Sequence, residues 1–144
     1  MSPSQVPHPK HTSHSHLEGL GVSPARKPGE RRTWQHLQGA AQALALVTAA
    51  RAHPGITLIL SASAKSAATL ANECVFFRGE TEAEAENLPI VQFPDWETLP
   101  YDLFSPHEDI ISERLATLYR LPRLERGIVI VPVTTAMHRL APPA

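Results

Sequence analysis

Three short apolar runs constrain this chain more than anything else in it. Ile56-Thr57-Leu58-Ile59-Leu60, Leu88-Pro89-Ile90-Val91-Gln92-Phe93 and Gly127-Ile128-Val129-Ile130-Val131 are rich in β-branched residues and free of charge. Each is too short for a buried helix and nearly continuous in its apolar character, which predicts strands with both faces covered, the condition of a parallel sheet. Helical patterns separate them. Thr33 to Ala52 carries Trp34, Leu37, Ala41, Leu44 and Thr48, with Ala40 and Val47 beside them, at 3.6-residue spacing, and its alanines favour helix. Gly39 is its weak point, so the main helix begins either at a Thr33 cap or only at the glycine. After the first strand, Ser61 or Ser63 caps a helix whose inner face is Ala67, Leu70, Ala71 and Cys74. Strand, tight turn and helix in alternation indicate an α/β three-layer sandwich with a mostly parallel sheet.

The segment before the third strand carries the densest local signals. Pro94 and Pro100 make Asp95 to Asp102 a loop, since proline lacks an amide donor and biases its predecessor away from helix. Ser105-Pro106-His107-Glu108 then reads as a helix start, with Ser105 as cap and Glu108 closing a capping box. Ile111, Leu115 and Leu118 are expected on its buried face, and Pro122 ends it. Val75 to Glu86 is ambiguous. Its Val75-Phe76-Phe77 reads as a short apolar anchor, and its alternating Glu80, Glu82, Glu84 and Glu86 as a solvated loop with a helical turn rather than an acid/base or metal site. Thr134 and Thr135 are capping residues for a last helix after Pro132.

Residues 1–32 are expected to be a disordered tail, and 33–144 the α/β domain. Five prolines and few large apolar residues leave the tail nothing to bury. Its His8, His11, His14 and His16 lack a second ligand pair at metal spacing, so they read as ordinary tail residues. Arg26, Lys27, Arg31 and Arg32 read as a solvated basic linker. The formal net charge of −1 supplies no global attraction to nucleic acid or an anionic membrane. The single cysteine, Cys74, excludes an intrachain disulfide and reads as a small apolar residue in a reducing, cytoplasmic protein. No segment has the charged and apolar regions of a signal peptide or the length of a membrane span.

Nucleotide chemistry is the obvious expectation to test in an α/β chain. Ser61-Ala62-Ser63-Ala64-Lys65-Ser66 follows a strand and opens a helix, as a phosphate-binding loop does, but Ile59 and Ala64 stand where that motif needs glycine. Gly39-Ala40-Ala41-Gln42 has no lysine behind it. His107 beside Glu108 and Asp109 is a weak dyad, and Trp96 and Tyr101, surrounded by Asp95, Glu97 and Asp102, read as an aromatic plug rather than a base-stacking platform. No catalytic, cofactor-binding or metal-ligating residue is assigned. Two alternatives stay beside a non-catalytic scaffold: a divergent nucleotide-binding enzyme using Lys65 and Ser66, and a DNA-binding module using the basic tail and Trp96.

A family resemblance enters on particular residues. Asp95-Trp96-Glu97-Thr98-Leu99-Pro100-Tyr101-Asp102, Ser105-Pro106-His107, Asp109-Ile110-Ile111-Ser112, Arg114-Leu115, Thr117-Leu118-Tyr119, Leu121-Pro122, Arg126-Gly127 and Ile130-Val131-Pro132-Val133 together resemble the N-terminal region of bacterial transcription-repair coupling factors. The match is dense from Phe93 to Leu140 and sparser from Trp34 to Cys74. The resemblance implies a domain similar to the first domain of UvrB, a degenerate relative of P-loop NTPases. It places Gly39 to Leu44 where the nucleotide loop stood. It implies that ATP and magnesium serve a downstream translocase and not this chain. It further implies that UvrA, RNA polymerase and DNA are partners of the family through regions mostly outside this piece. It finally implies that the chain is a fragmentary N-terminal portion with an exposed strand edge.

Overall fold

A computed structural model describes residues 24–79, 81–96 and 107–138. Elements follow in the order α1 (Ala41–Ala52), β1 (Ile56–Ser61), α2 (Ala64–Arg78), α3 (Glu82–Asn87), β2 (Ile90–Gln92), α4 (Glu108–Arg120), a 3-10 turn (Leu121–Arg123), β3 (Gly127–Pro132) and α5 (Val133–Met137). The described strands form a parallel sheet in the order β1-β3-β2. β3 therefore lies in the middle, and all six of its residues are buried. This is the three-layer α/β arrangement expected from the alternating runs.

The pleat of β3 divides the core. Ile128 and Ile130 point to one face, where Ala43, Val47 and Ala50 of α1 and Ala67, Leu70, Ala71 and Cys74 of α2 close over them. Val129 and Val131 point to the other, beneath Leu118, Leu121 and Leu124 and beside Phe93. Small residues on α1 and α2 let both helices lie close to the sheet and to each other.

Of the two starts open for α1, the later one is used, and its buried face is corrected in part. The helix begins at Ala41, because His36 and Gly39 have φ of 62° and 54° and break any helix through residues 33–38. Trp34 and Leu37 instead fold back against Ala45. The core-facing stripe keeps the expected Val47 but is completed by Ala43 and Ala50 rather than by Ala41 and Leu44. Thr48 is buried as expected, its hydroxyl donating to the Leu44 carbonyl at 2.7 Å.

The strands also depart from the expected double coverage. Leu58 and Leu60 of β1 pair in register with Val129 and Val131 and so share the face of α4, yet each is 60 % exposed. α4 lies over β3 and β2 and leaves β1 open. Val75 to Arg78 continue α2 instead of forming a separate anchor; Phe77 packs on the core while Phe76 is exposed. The acidic stretch supplies the short helix α3, as the helical-turn reading expected.

One glycine holds the sheet in register. Gly127 has φ 139°, and a Cβ there would lie 2.5 Å from the Pro89 carbonyl oxygen, which itself accepts from the Ile128 amide at 2.9 Å. The chain must pass this close for β2 to pair with β3, and only glycine permits it.

Candidate functional site at the carboxyl edge of the sheet

In open parallel sheets, ligands bind beyond the carboxyl ends of the strands. Here that edge is built from the turn after β1, the chain leaving β2, the start of α5 after β3, and the amino end of α1.

The turn after β1 contains only Ala62 and Ser63 before α2 begins. Ser63 caps α2: its hydroxyl accepts from the Ser66 amide at 3.1 Å, and the Ser66 hydroxyl accepts from the Ser63 amide at 3.1 Å. Of the two capping serines open from sequence, Ser63 is the one used. Ser61 is buried beneath it, with its oxygen 2.6 Å from that of Ser66. A phosphate loop leaves these amides and the hydroxyl free for ligand. Here they are spent on one another, and Lys65 is exposed beside them.

The amino end of α1 is closed similarly. The amides of Ala41 and Gln42 donate to the carbonyls of Gln38 and Gly39, each at 3.3 Å, in the turn that Gly39 makes. No side chain caps Ala40. Two of the four amides that a helix start offers an anion are thus occupied.

The chain leaving β2 is organised by Arg114 of α4, which is 3 % exposed. Its guanidinium carbon lies 4.4 Å from the centroid of the Phe93 ring and 4.1 Å from that of Trp96. One of its nitrogens donates to the Pro94 carbonyl. Thr117, one turn on, donates to the Gln92 carbonyl at 3.1 Å. Burial lowers the Arg114 pKa, an effect that the Asp95 carboxylate opposes. Asp95 in turn accepts from the Trp96 amide at 2.9 Å and from the Thr134 hydroxyl at 2.7 Å, tying the end of β2 to α5. Partial burial raises the Asp95 pKa, and the bonds from Thr134 and Trp96 outweigh it, so the carboxyl titrates below its usual value.

These contacts correct the expected α4. Arg114 and Thr117 are buried while Leu115 is 62 % exposed. The two polar side chains turn inward because the carbonyls leaving β2 need donors, and a buried carbonyl left unpaired is costly. Their signal in the sequence is slight: two polar residues embedded among Ile111, Leu118 and Leu121. The helix also starts later than expected, at Glu108, where His107 caps it by accepting from the Asp109 amide at 3.3 Å. Ser105, Pro106 and Tyr101 lie outside the described residues, as do the four tail histidines. Thr134 serves Asp95, and Pro132 caps α5 without a side-chain bond.

Chemically, the edge is a set of closed joints. His107 stands exposed at a helix cap, with the Asp109 carboxylate 3.2 Å away and no nucleophile beside it among the described residues. The described residues contain no group of three His, Cys, Asp or Glu that could hold a metal ion. Cys74 is buried in the core, and burial, with Glu73 adding to it, pushes its thiol up to about 11. The basic residues 26–32 form a turn around Glu30, whose carboxylate accepts from the amides of Arg26 and Lys27 and pairs with Arg32. Among the described residues no helix is long and apolar enough to cross a membrane.

No family model matches the sequence. Individual relatives do. The transcription-repair-coupling factor of Escherichia coli (strain K12) is 42 % identical over 116 residues, or 81 % of this chain. This chain is homologous to a segment of the transcription-repair coupling factors. The Haemophilus influenzae protein of that name is 34 % identical over 117 residues, also 81 % of the chain, and the Mycobacterium bovis protein is 29 % identical over 109 residues, or 71 %. The chain spans only 9 %, 10 % and 8 % of the length of these three coupling factors. The resemblance seen in Phe93 to Leu140 thus corresponds to homology across most of the chain.

Proposed function

We propose that this chain is a non-catalytic scaffold portion of a transcription-repair coupling factor, which couples removal of stalled RNA polymerase to nucleotide excision repair. It is a UvrB-like α/β domain, residues 33–144, following a tail of 32 residues. The observation that carries the reading is the closed turn between β1 and α2. A phosphate loop here, as the Lys65 and Ser66 alternative requires, would turn its amides and a Ser/Thr hydroxyl to the phosphates; instead Ser63 and Ser66 satisfy each other. At Gly39 to Leu44, where the resemblance puts the nucleotide loop, the Ala41 and Gln42 amides are bonded to the Gln38 and Gly39 carbonyls. Homology to coupling factors supports the repair context. ATP, magnesium and DNA translocation belong, on this reading, to other parts of such a protein, as do most contacts with UvrA, RNA polymerase and DNA.

Titration calorimetry of the purified chain with ATP and magnesium tests the reading. No heat of binding is expected at millimolar nucleotide. Saturable binding, with hydrolysis abolished by Lys65→Ala, would establish the rival nucleotide-enzyme reading instead. Salt-sensitive binding of duplex DNA lost on deleting residues 1–32 would favour the DNA-binding alternative.

A further inference from the structure

Among the described strands β2 lies at an edge of the sheet, and a groove opens beside it. A cavity of about 440 Å³ lies at the start of β2, with Ile90, Val91 and Leu124 in its lining. Arg78, Arg120 and Arg123 stand around it. The ladder decides which backbone groups face the groove. Pro89 accepts from Ile128 and Phe93 donates to Ile130, so alternate residues of β2 turn toward β3, and Ile90 and Gln92 turn their backbone groups outward. The Gln92 carbonyl is taken by Thr117. The N–H and C=O of Ile90 and the N–H of Gln92 are left to address a partner.

The arginines have a local reason to be here. Arg78 and Arg120 occupy the last turns of α2 and α4, and cations are favoured at helix carboxyl ends. Their convergence on one strand edge is a property of the topology, since both helices end beside the start of β2. Arg123 is held over the Tyr119 ring at 4.0 Å, donates to the Tyr119 carbonyl at 2.7 Å and is exposed. Of the described side chains of α3, Ala85 lines the groove.

We infer that the open edge of β2 docks an extended, acidic segment of another protein as an added strand. Main-chain bonds to Ile90 and Gln92 supply the pairing; the apolar side chains of the added strand lie on the face of Ile90, and its carboxylates, on the opposite face with Leu124, meet Arg120 and Arg123. The planar guanidinium fork suits bidentate carboxylate pairing. The shortness of the strand limits the docked segment to a few residues.

The test uses the full chain and a fluorescein-labelled, acetylated heptapeptide alternating glutamate or aspartate with valine, read by anisotropy. Saturable binding is expected, weakened at least tenfold in the double variant Arg120→Glu with Arg123→Glu. Both positions are exposed, so the fold is not at stake, and circular dichroism checks it. The same peptide N-methylated at alternate valines leaves the protein untouched and should also bind at least tenfold more weakly. A lysine-for-acid peptide should not bind. Unchanged affinity in the double variant or with the N-methylated peptide overturns the inference. So does arginine-dependent binding of a labelled 12-mer oligothymidylate in the absence of peptide binding, which would assign the rim to phosphates.

Discussion

Replacing Arg114 by alanine is the sharpest test of how the carboxyl edge is held. The side chain makes one charge-assisted bond to the Pro94 carbonyl and fills the space between two rings at 4.4 and 4.1 Å. A hydrogen bond from a charged group contributes about 1.5–3 kcal/mol. Each ring contact adds about 0.5–1 kcal/mol, more where water is excluded. Loss of the cation removes its desolvation cost, which offsets part of this, while the bared Pro94 carbonyl adds a penalty. The net expectation is a destabilisation of about 3 kcal/mol, within the range for breaking a buried network. Urea unfolding followed by far-UV circular dichroism measures it, and tryptophan fluorescence of the folded state reports whether Trp96 has lost its packing. Arg114→Lys keeps the charge and loses the planar stacking, so it should fall between wild type and alanine. An alanine variant within 0.5 kcal/mol of wild type, where about 3 is expected, would refute the reasoning and make Arg114 an onlooker.

Other predictions follow from single contacts. Gly127→Ala forces a Cβ to 2.5 Å from the Pro89 oxygen at a positive φ, and should cost about 2–4 kcal/mol in the same urea titration. Asp95 has a lowered pKa in the folded chain, so its stabilisation is present above the ordinary carboxylate value of about 3.9 and is lost as pH falls through its folded value. The stability gap between wild type and Asp95→Asn should therefore be open at pH 6 and close in strongly acidic buffer; a gap constant with pH would contradict it. Cys74, buried with its thiol pushed up to about 11, should resist a disulfide reagent at pH 8 and react on addition of denaturant. Leu58 and Leu60, each 60 % exposed on an edge strand, should promote self-association, and Leu58→Lys with Leu60→Lys should reduce it in sedimentation velocity.

The alternation of apolar runs and helical stripes was enough to determine the strands, their parallel sense and the buried face of α2, because each depends on local periodicity and on the need to cover a continuous apolar run. Ala67, Leu70, Ala71 and Cys74 stand inward as their spacing requires. The missing glycines of the turn after β1 were equally legible, since a phosphate wrap is a backbone requirement. Tertiary structure decided the rest. It set the buried face of α1, where Ala43 and Ala50 join Val47 against Ile128 and Ile130. It turned Arg114 and Thr117 of α4 inward and left Leu115 outside, because two carbonyls leaving β2 needed donors that only that helix could bring. It placed β3 between β1 and β2, which are the edges among the described strands, and brought Arg78 to one groove with Arg120 and Arg123 from a distant part of the chain. Periodicity reports which residues share a face of an element; which neighbour that face meets, and which polar groups wait there, is set only when the elements assemble.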